Sequence, residues 1–201
     1  FFETTLRLGI NFTTNPDPHT GACIRPESSG DWVTKVMTVG VRRTERIYLD
    51  RVLVSVRRWP DYVASVQRMF VMDKGPQADT PVPSAEGHAL WWFLEHQATI
   101  MDAEQRGYPL RLVSYEQTLD QPAQIVPEVL DWLGAGGDPE SAVAAVDPGL
   151  RTQHASAKLA LDLPAHWTDS FDELAARVQT GEVMVQGWLE HMGVIRAEIE
   201  Q

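Results

Sequence analysis

The stretch that decides the fold is residues 52–65, which read VLVSVRRWPDYVAS. The apolar run over residues 52–56 predicts a short buried strand, because β-branched side chains suit a pleated sheet. Pro60 has the fixed φ and the missing N–H that the first turn of a helix accepts, so we expect a helix over residues 60–72. Arg57 lies in the turn between the two elements. A strand, a turn and a helix in this order are typical of an α/β fold.

The same alternation of strands and helices continues along the chain. Further β-rich runs cover residues 32–39 and 110–114, and helical patterns cover residues 86–106, 122–133, 138–146 and 182–199. Strands joined by crossover helices predict an α/β three-layer sandwich with a mainly parallel central sheet, built as a single domain over residues 1–201. Residues 74–85 and 147–169 are predicted loops, which in a compact domain serve either as lids or as mobile surface.

Composition excludes several classes of protein. The chain has 28 acidic and 17 basic residues and a net charge of −11, which argues against a nucleic-acid binder. No apolar run approaches the length of a membrane span and no secretory leader is visible, so we expect a cytoplasmic protein. A single cysteine, Cys23, excludes an internal disulfide, and the six histidines lack the spacing of metal ligands. We therefore expect no metal site.

Basic residues are concentrated between Lys35 and Arg58. This stretch holds seven Lys and Arg against two acidic residues, in a chain that is otherwise strongly acidic. An anionic ligand would be attracted here, although scattered surface arginines that balance nearby carboxylates would give the same count.

Arg57 and Ser65 flank a natural place for a phosphate. In an open α/β sheet, ligands bind beyond the carboxyl ends of the strands, where helix N-termini present free N–H groups. A guanidinium grips phosphate with two parallel hydrogen bonds, and a hydroxyl can donate a third. The turn after residues 52–56 therefore predicts an anion site.

This arrangement resembles the 3′-phosphate-binding segment of the P-loop sulfotransferases, which use 3′-phosphoadenosine 5′-phosphosulfate (PAPS) as sulfuryl donor. In that family a strand runs into an Arg, a Pro follows two or three residues later, and a Ser stands eight residues after the Arg; Arg57, Pro60 and Ser65 fit. Residues 110–116, LRLVSYE, and the Leu-Asp-x-Pro and helix that follow them are similar to a second family segment, in which the Tyr lies by the adenine. Two matches in the same order make the resemblance more specific.

The resemblance implies roles for several residues. Arg57 and Ser65 would hold the 3′-phosphate and Tyr115 would stack on adenine, although a Tyr that caps the edge of the core would look the same in sequence. Lys35, in the β-rich run over residues 32–39, matches a Lys that contacts the transferring sulfuryl group. A Lys on the exposed face of an edge strand is the alternative.

The catalytic base and the late basic loop are less well matched. Met37 replaces the His that commonly serves as base, so the proton of the acceptor would go to Glu3, or else to His154 or His166. A Glu3 that is merely solvated is the alternative. The resemblance implies that Arg151, and beyond it Lys158, would close over the 3′-phosphate; for Lys158 a solvated surface charge is the alternative.

The likeness covers residues 32–135, about half of the chain. The family's first strand and its glycine-containing 5′-phosphosulfate loop are not found in residues 1–31, so we expect them to precede Phe1. The resemblance implies a sulfotransferase that moves a sulfuryl group from PAPS to a hydroxyl or amine on a small molecule or carbohydrate, leaving adenosine 3′,5′-bisphosphate (PAP). The acceptor would lie under residues 74–85, near Trp91 and Trp92, unless these are core residues. A catalytically silent binding module and a kinase of related fold are the alternatives.

Overall fold

The computed structural model describes residues 35–74, 83–150 and 161–201. These residues form an α/β fold made mostly of helices, with a two-stranded parallel sheet. The strands are β1 (Val52–Val56) and β2 (Leu110–Ser114). The helices are α1 (Thr38–Arg43), α2 (Trp59–Lys74), α3 (Ala85–Arg106), α4 (Tyr115–Asp120), α5 (Pro122–Leu133), α6 (Pro139–Ala144), α7 (Ala165–Thr180) and α8 (Gln186–Ile199). No helix in these three ranges is long and apolar enough to cross a bilayer.

The chain divides into two compact units. The first contains the described residues up to Val54 together with Glu95–Arg111, and the second contains those of Ser55–Leu94 and Leu112–Gln201. The ends of β1 and β2 and the turns that follow them belong to the second unit. A single domain over residues 1–201 stays a prediction.

The strand, turn and helix predicted over residues 52–72 are confirmed. Val52, Val54 and Val56 of β1 are buried and the two residues between them are exposed, so the strand is covered on one face and not on both as the apolar run predicted. After a two-residue turn, α2 begins at Trp59, and Pro60 is its second residue. Pro60 therefore fits the first turn, where its missing N–H has no partner to lose.

The predicted strand over residues 32–39 is wrong where the structure describes it. Residues 35–37 are in no strand and α1 begins at Thr38, while residues 32–34 lie outside the described ranges. The hydroxyl of Thr38 and the guanidinium of Arg42 both donate to the carboxylate of Glu95, at 2.9 and 2.6 Å. Residues four apart share one side of a helix but would stand about 13 Å apart in a strand, so this shared partner favours the helix.

The buried core of the second unit centres on Phe171 of α7. Its ring lies 5.0 Å from that of Phe93, 6.0 Å from Trp59 and 6.3 Å from Trp92, measured between ring centroids. All four side chains are buried. Aromatic rings at these separations add to the stabilisation that their burial gives, so they hold α2, α3 and α7 together.

The predicted loops are only partly correct. Residues 75–82 and 151–160 lie outside the described residues, and Ala85 already belongs to α3. The loop predicted over residues 147–169 is wrong from Ala165 onward, because α7 begins there. The helix predicted over residues 122–133 is confirmed as α5, and it ends at Gly134, whose φ of 65° is the left-handed conformation that glycine adopts most easily.

A hydrogen-bonded group orders the first unit. The Tyr108 hydroxyl donates to Asp102 at 2.8 Å, and Arg106 donates to the same carboxylate at 2.9 Å. Arg106 also donates to the carbonyls of Arg42 and Thr44, at the end of α1. Burial, and then the bond to Asp102, raise the pKa of the Tyr108 phenol above its ordinary range.

Candidate functional site

The candidate site lies at the carboxyl ends of β1 and β2. Because the two strands are parallel and adjacent, the backbone leaves both of them at the same edge of the sheet. Arg57 and Arg58 follow β1, and Tyr115 and Glu116 follow β2 as the first turn of α4. Ser114 ends β2 and accepts a hydrogen bond from the Gln117 N–H at 3.2 Å, which fixes the start of α4.

Arg57 and Tyr115, two residues predicted to bind the nucleotide, are in contact. The Cζ atom of Arg57 lies 4.2 Å from the centroid of the Tyr115 ring, so the guanidinium is over the ring. Both side chains are half-buried. A guanidinium attracted to an aromatic face still has N–H groups at its edge, and these can donate to a bound anion.

The peptide group between Arg57 and Arg58 is held at both of its polar atoms. The indole Nε1–H of Trp92 donates to the Arg57 carbonyl at 2.9 Å, and the Arg58 N–H donates to Oε1 of Glu116 at 3.1 Å. Trp92 is 1% exposed and Glu116 8% exposed, so both hydrogen bonds come from buried side chains. The turn that carries Arg57 is therefore fixed from α3 and from α4.

Ser65 lies in the second turn of α2. It is six residues beyond Trp59, which is a rise of about 9 Å along the helix axis. Its side chain is half-buried. The predicted partnership of Arg57 and Ser65 in binding a phosphate stays a prediction.

Neither Lys35 nor Glu3, the two residues predicted for catalysis, belongs to the described part of the second unit. Lys35 is exposed and belongs to the first unit. It is in no strand, so its predicted place within a strand is wrong. Glu3, Arg151, His154 and Lys158 lie outside the described residues.

His166 has a partner elsewhere. It stands in the first turn of α7, and its Nε2 atom lies 2.8 Å from Oε2 of Glu198 in α8. Hydrogen bonds from His166, and then from Trp167, hold the pKa of the Glu198 carboxyl below its usual range. The pair joins two helices of the second unit, which is a structural use of the imidazole.

The basic stretch over residues 35–58 resolves into separate groups. Arg42 is paired with Glu95, and Arg51 pairs with the carboxylate next to it in the chain at 2.8 Å. Arg46 donates to the backbone carbonyls of Leu49, Arg106 and Gly107. The balancing of arginines by nearby acceptors thus accounts for these three, all of which belong to the first unit.

Sequence reasoning missed Glu116 and left the role of Trp92 open. Trp92 is a core residue, whereas its neighbour Trp91 is 50% exposed. Glu116 follows directly on Tyr115, so its position in the Tyr-Glu pair was the available signal. Within the described ranges, no three His, Cys, Asp or Glu side chains come together as a metal site.

Comparisons of the chain with protein-family models, with curated proteins and with solved structures found no match.

Proposed function

We propose that this chain is a sulfotransferase that binds PAPS and transfers its sulfuryl group to a hydroxyl or amine. The observation that supports the proposal best is the contact of Arg57 with Tyr115 at the carboxyl edge of the sheet. A cation for a phosphate and an aromatic ring for a base stand side by side there, which is the pairing that a nucleoside phosphate needs.

The 3′-phosphate and the adenine of PAPS would each bind a different side chain. The guanidinium of Arg57 would take the 3′-phosphate, with the Ser65 hydroxyl as a further donor. One face of the Tyr115 ring is covered by the guanidinium. Adenine would therefore stack on the other face, giving a layered order of guanidinium, phenol ring and base.

The transfer step would follow the general scheme for moving a charged group. The bond from sulfur to the bridging oxygen of PAPS breaks as a bond from sulfur to the acceptor oxygen or nitrogen forms, and PAP leaves. Lys35 would neutralise charge on the leaving phosphate, and Glu3 would take the proton of the acceptor. This function requires a three-layer sandwich that is completed by a further strand and a phosphosulfate loop. The enzyme would act in the cytoplasm.

Isothermal titration with PAP tests the nucleotide site. Replacing Arg57 by alanine should weaken binding at least about 30-fold, which is about 2 kcal/mol, because the phosphate loses its charged partner and both parallel hydrogen bonds. Arg177→Ala is the matched control, since Arg177 also lies over an aromatic ring, that of Trp188 at 4.9 Å, within the same unit. The control should bind PAP as the unaltered chain does. Equal affinity in the Arg57 variant would count against the proposal.

A further inference from the structure

The turn after β1 has a feature that an ordinary surface turn lacks. Loop peptides commonly satisfy their N–H and C=O groups with water. The peptide joining Arg57 and Arg58 instead uses two buried side chains, Trp92 from α3 and Glu116 from α4. Both of its polar groups thus have partners within the protein.

Glu116 is a costly choice for this task if stability alone mattered. A carboxylate that is 8% exposed loses most of its hydration, and this loss must be offset by hydrogen bonds. One oxygen accepts from the Arg58 N–H at 3.1 Å and the other from the Ser114 hydroxyl at 3.2 Å. With one oxygen on the turn and the other on the residue that ends β2, Glu116 ties the turn after β1 to the end of β2.

The consequence reaches the guanidinium of Arg57. Because β1 holds the peptide before Arg57 and these two hydrogen bonds hold the peptide after it, the direction in which the Arg57 side chain leaves the backbone is restricted. The same short segment that supplies Glu116 also supplies Tyr115, the ring on which that guanidinium lies. The first turn of α4 therefore restrains the Arg57 backbone through Glu116 and the Arg57 guanidinium through Tyr115.

We propose that Glu116 and Trp92 are positioning residues that preorganise Arg57 for the ribose-linked phosphate. This inference rests on the proposed function, since it assumes that Arg57 meets a phosphate. A binding group already held in its bound conformation loses less freedom on binding, and the affinity rises accordingly. Neither residue needs to touch the ligand.

Trp92→Phe is the most informative variant. It keeps an aromatic ring against Phe171 and removes the N–H that holds the Arg57 carbonyl, together with part of the buried ring volume. We expect PAP to bind about fivefold more weakly, since one hydrogen bond of ordinary strength is lost. The affinity for 5′-AMP, which has no 3′-phosphate, should stay within about twofold.

Trp59→Phe is the matched control. The Trp59 indole also packs on Phe171 and also donates a hydrogen bond, at 2.8 Å, but to Asp172 instead of to the turn. Its loss should lower the melting temperature comparably and leave PAP affinity within about twofold. If both Trp variants weaken PAP equally, general loosening of the core explains the effect and the positioning role is wrong.

Glu116 is tested by a pair of substitutions. Glu116→Gln keeps an oxygen for the Arg58 N–H and should bind PAP within about threefold of the unaltered chain, whereas Glu116→Ala should lose about tenfold. Unchanged affinity in Glu116→Ala and Trp92→Phe, with Arg57→Ala still impaired, would overturn the positioning role alone. Unchanged affinity in Arg57→Ala would overturn the proposed function.

Discussion

Replacing Arg57 by lysine would separate the charge of the proposed site from its shape. Lysine keeps the positive charge but has neither the planar fork nor the flat face that lies 4.2 Å from the centre of the Tyr115 ring. The ring contact is worth about 0.5–1 kcal/mol at a partly exposed position. The second of two parallel bonds to phosphate is worth about 1.5–3 kcal/mol.

Together these losses come to at least about 2 kcal/mol, so Arg57→Lys should bind PAP roughly 30-fold more weakly than the unaltered chain. Isothermal titration at one ionic strength measures this difference, with 5′-AMP as the ligand that lacks the 3′-phosphate. The affinity for 5′-AMP should change far less. Arg177→Lys is the control, because it makes the same exchange over the Trp188 ring.

Two results would refute this reasoning. If lysine at position 57 binds PAP as well as arginine does, the site recognises positive charge alone and not the paired hydrogen bonds of a planar guanidinium. If the Arg177→Lys control weakens binding to the same degree, the effect comes from a general change in the second unit and not from the turn after β1.

Three further outcomes are expected. Tyr115→Leu should weaken adenine nucleotides about tenfold in titrations and Tyr115→Phe should not, because stacking needs the ring alone; equal losses would contradict this. Glu95→Ala should lower the free energy of unfolding in urea by about 2 kcal/mol, since it strands the part-buried Arg42; a loss below about 0.5 kcal/mol would contradict it. The raised pKa of Tyr108 stabilises the fold fully below about pH 10 and progressively less above it, so urea titrations should show a shallower alkaline decline for Tyr108→Phe; an unchanged decline would contradict this.

The elements with strong local signals could be predicted from the sequence. The valines of β1 alternate in a short run, Pro60 marks the start of α2, and Gly134 ends α5 in the left-handed conformation. Each signal acts within a few residues, so no knowledge of the rest of the chain was needed. The α/β class followed from the order of these elements.

Other elements depend on contacts that are distant in sequence. Residues 35–39 have a β-rich composition, but Glu95, more than fifty positions away, accepts hydrogen bonds from both Thr38 and Arg42, and this shared partner favours a helix. Helix α7 is different, because Phe171, Leu174 and Val178 are buried at helical spacing. This spacing of apolar residues can be read from the sequence, but the loop predicted over residues 147–169 included the first residues of the helix.

The candidate site also has some features that local sequence predicts and others that depend on contacts distant in sequence. Arg57 and Tyr115 could be predicted to lie near each other, because each follows a strand and parallel strands end at one edge. The bonds from Trp92 and Glu116 to a single peptide could not be predicted, since nothing in their spacing specifies which backbone group they reach. Strand ends can thus be located from sequence, whereas the support of a turn needs the structure.

A crystal structure of the protein with PAP tests the central claim most directly. The account predicts that the ribose-linked phosphate lies about 3 Å from the guanidinium nitrogens of Arg57 and from the Ser65 hydroxyl, with adenine against the face of Tyr115 opposite the guanidinium. A nucleotide bound elsewhere, with Arg57 still over Tyr115 and no phosphate at the turn, would contradict it.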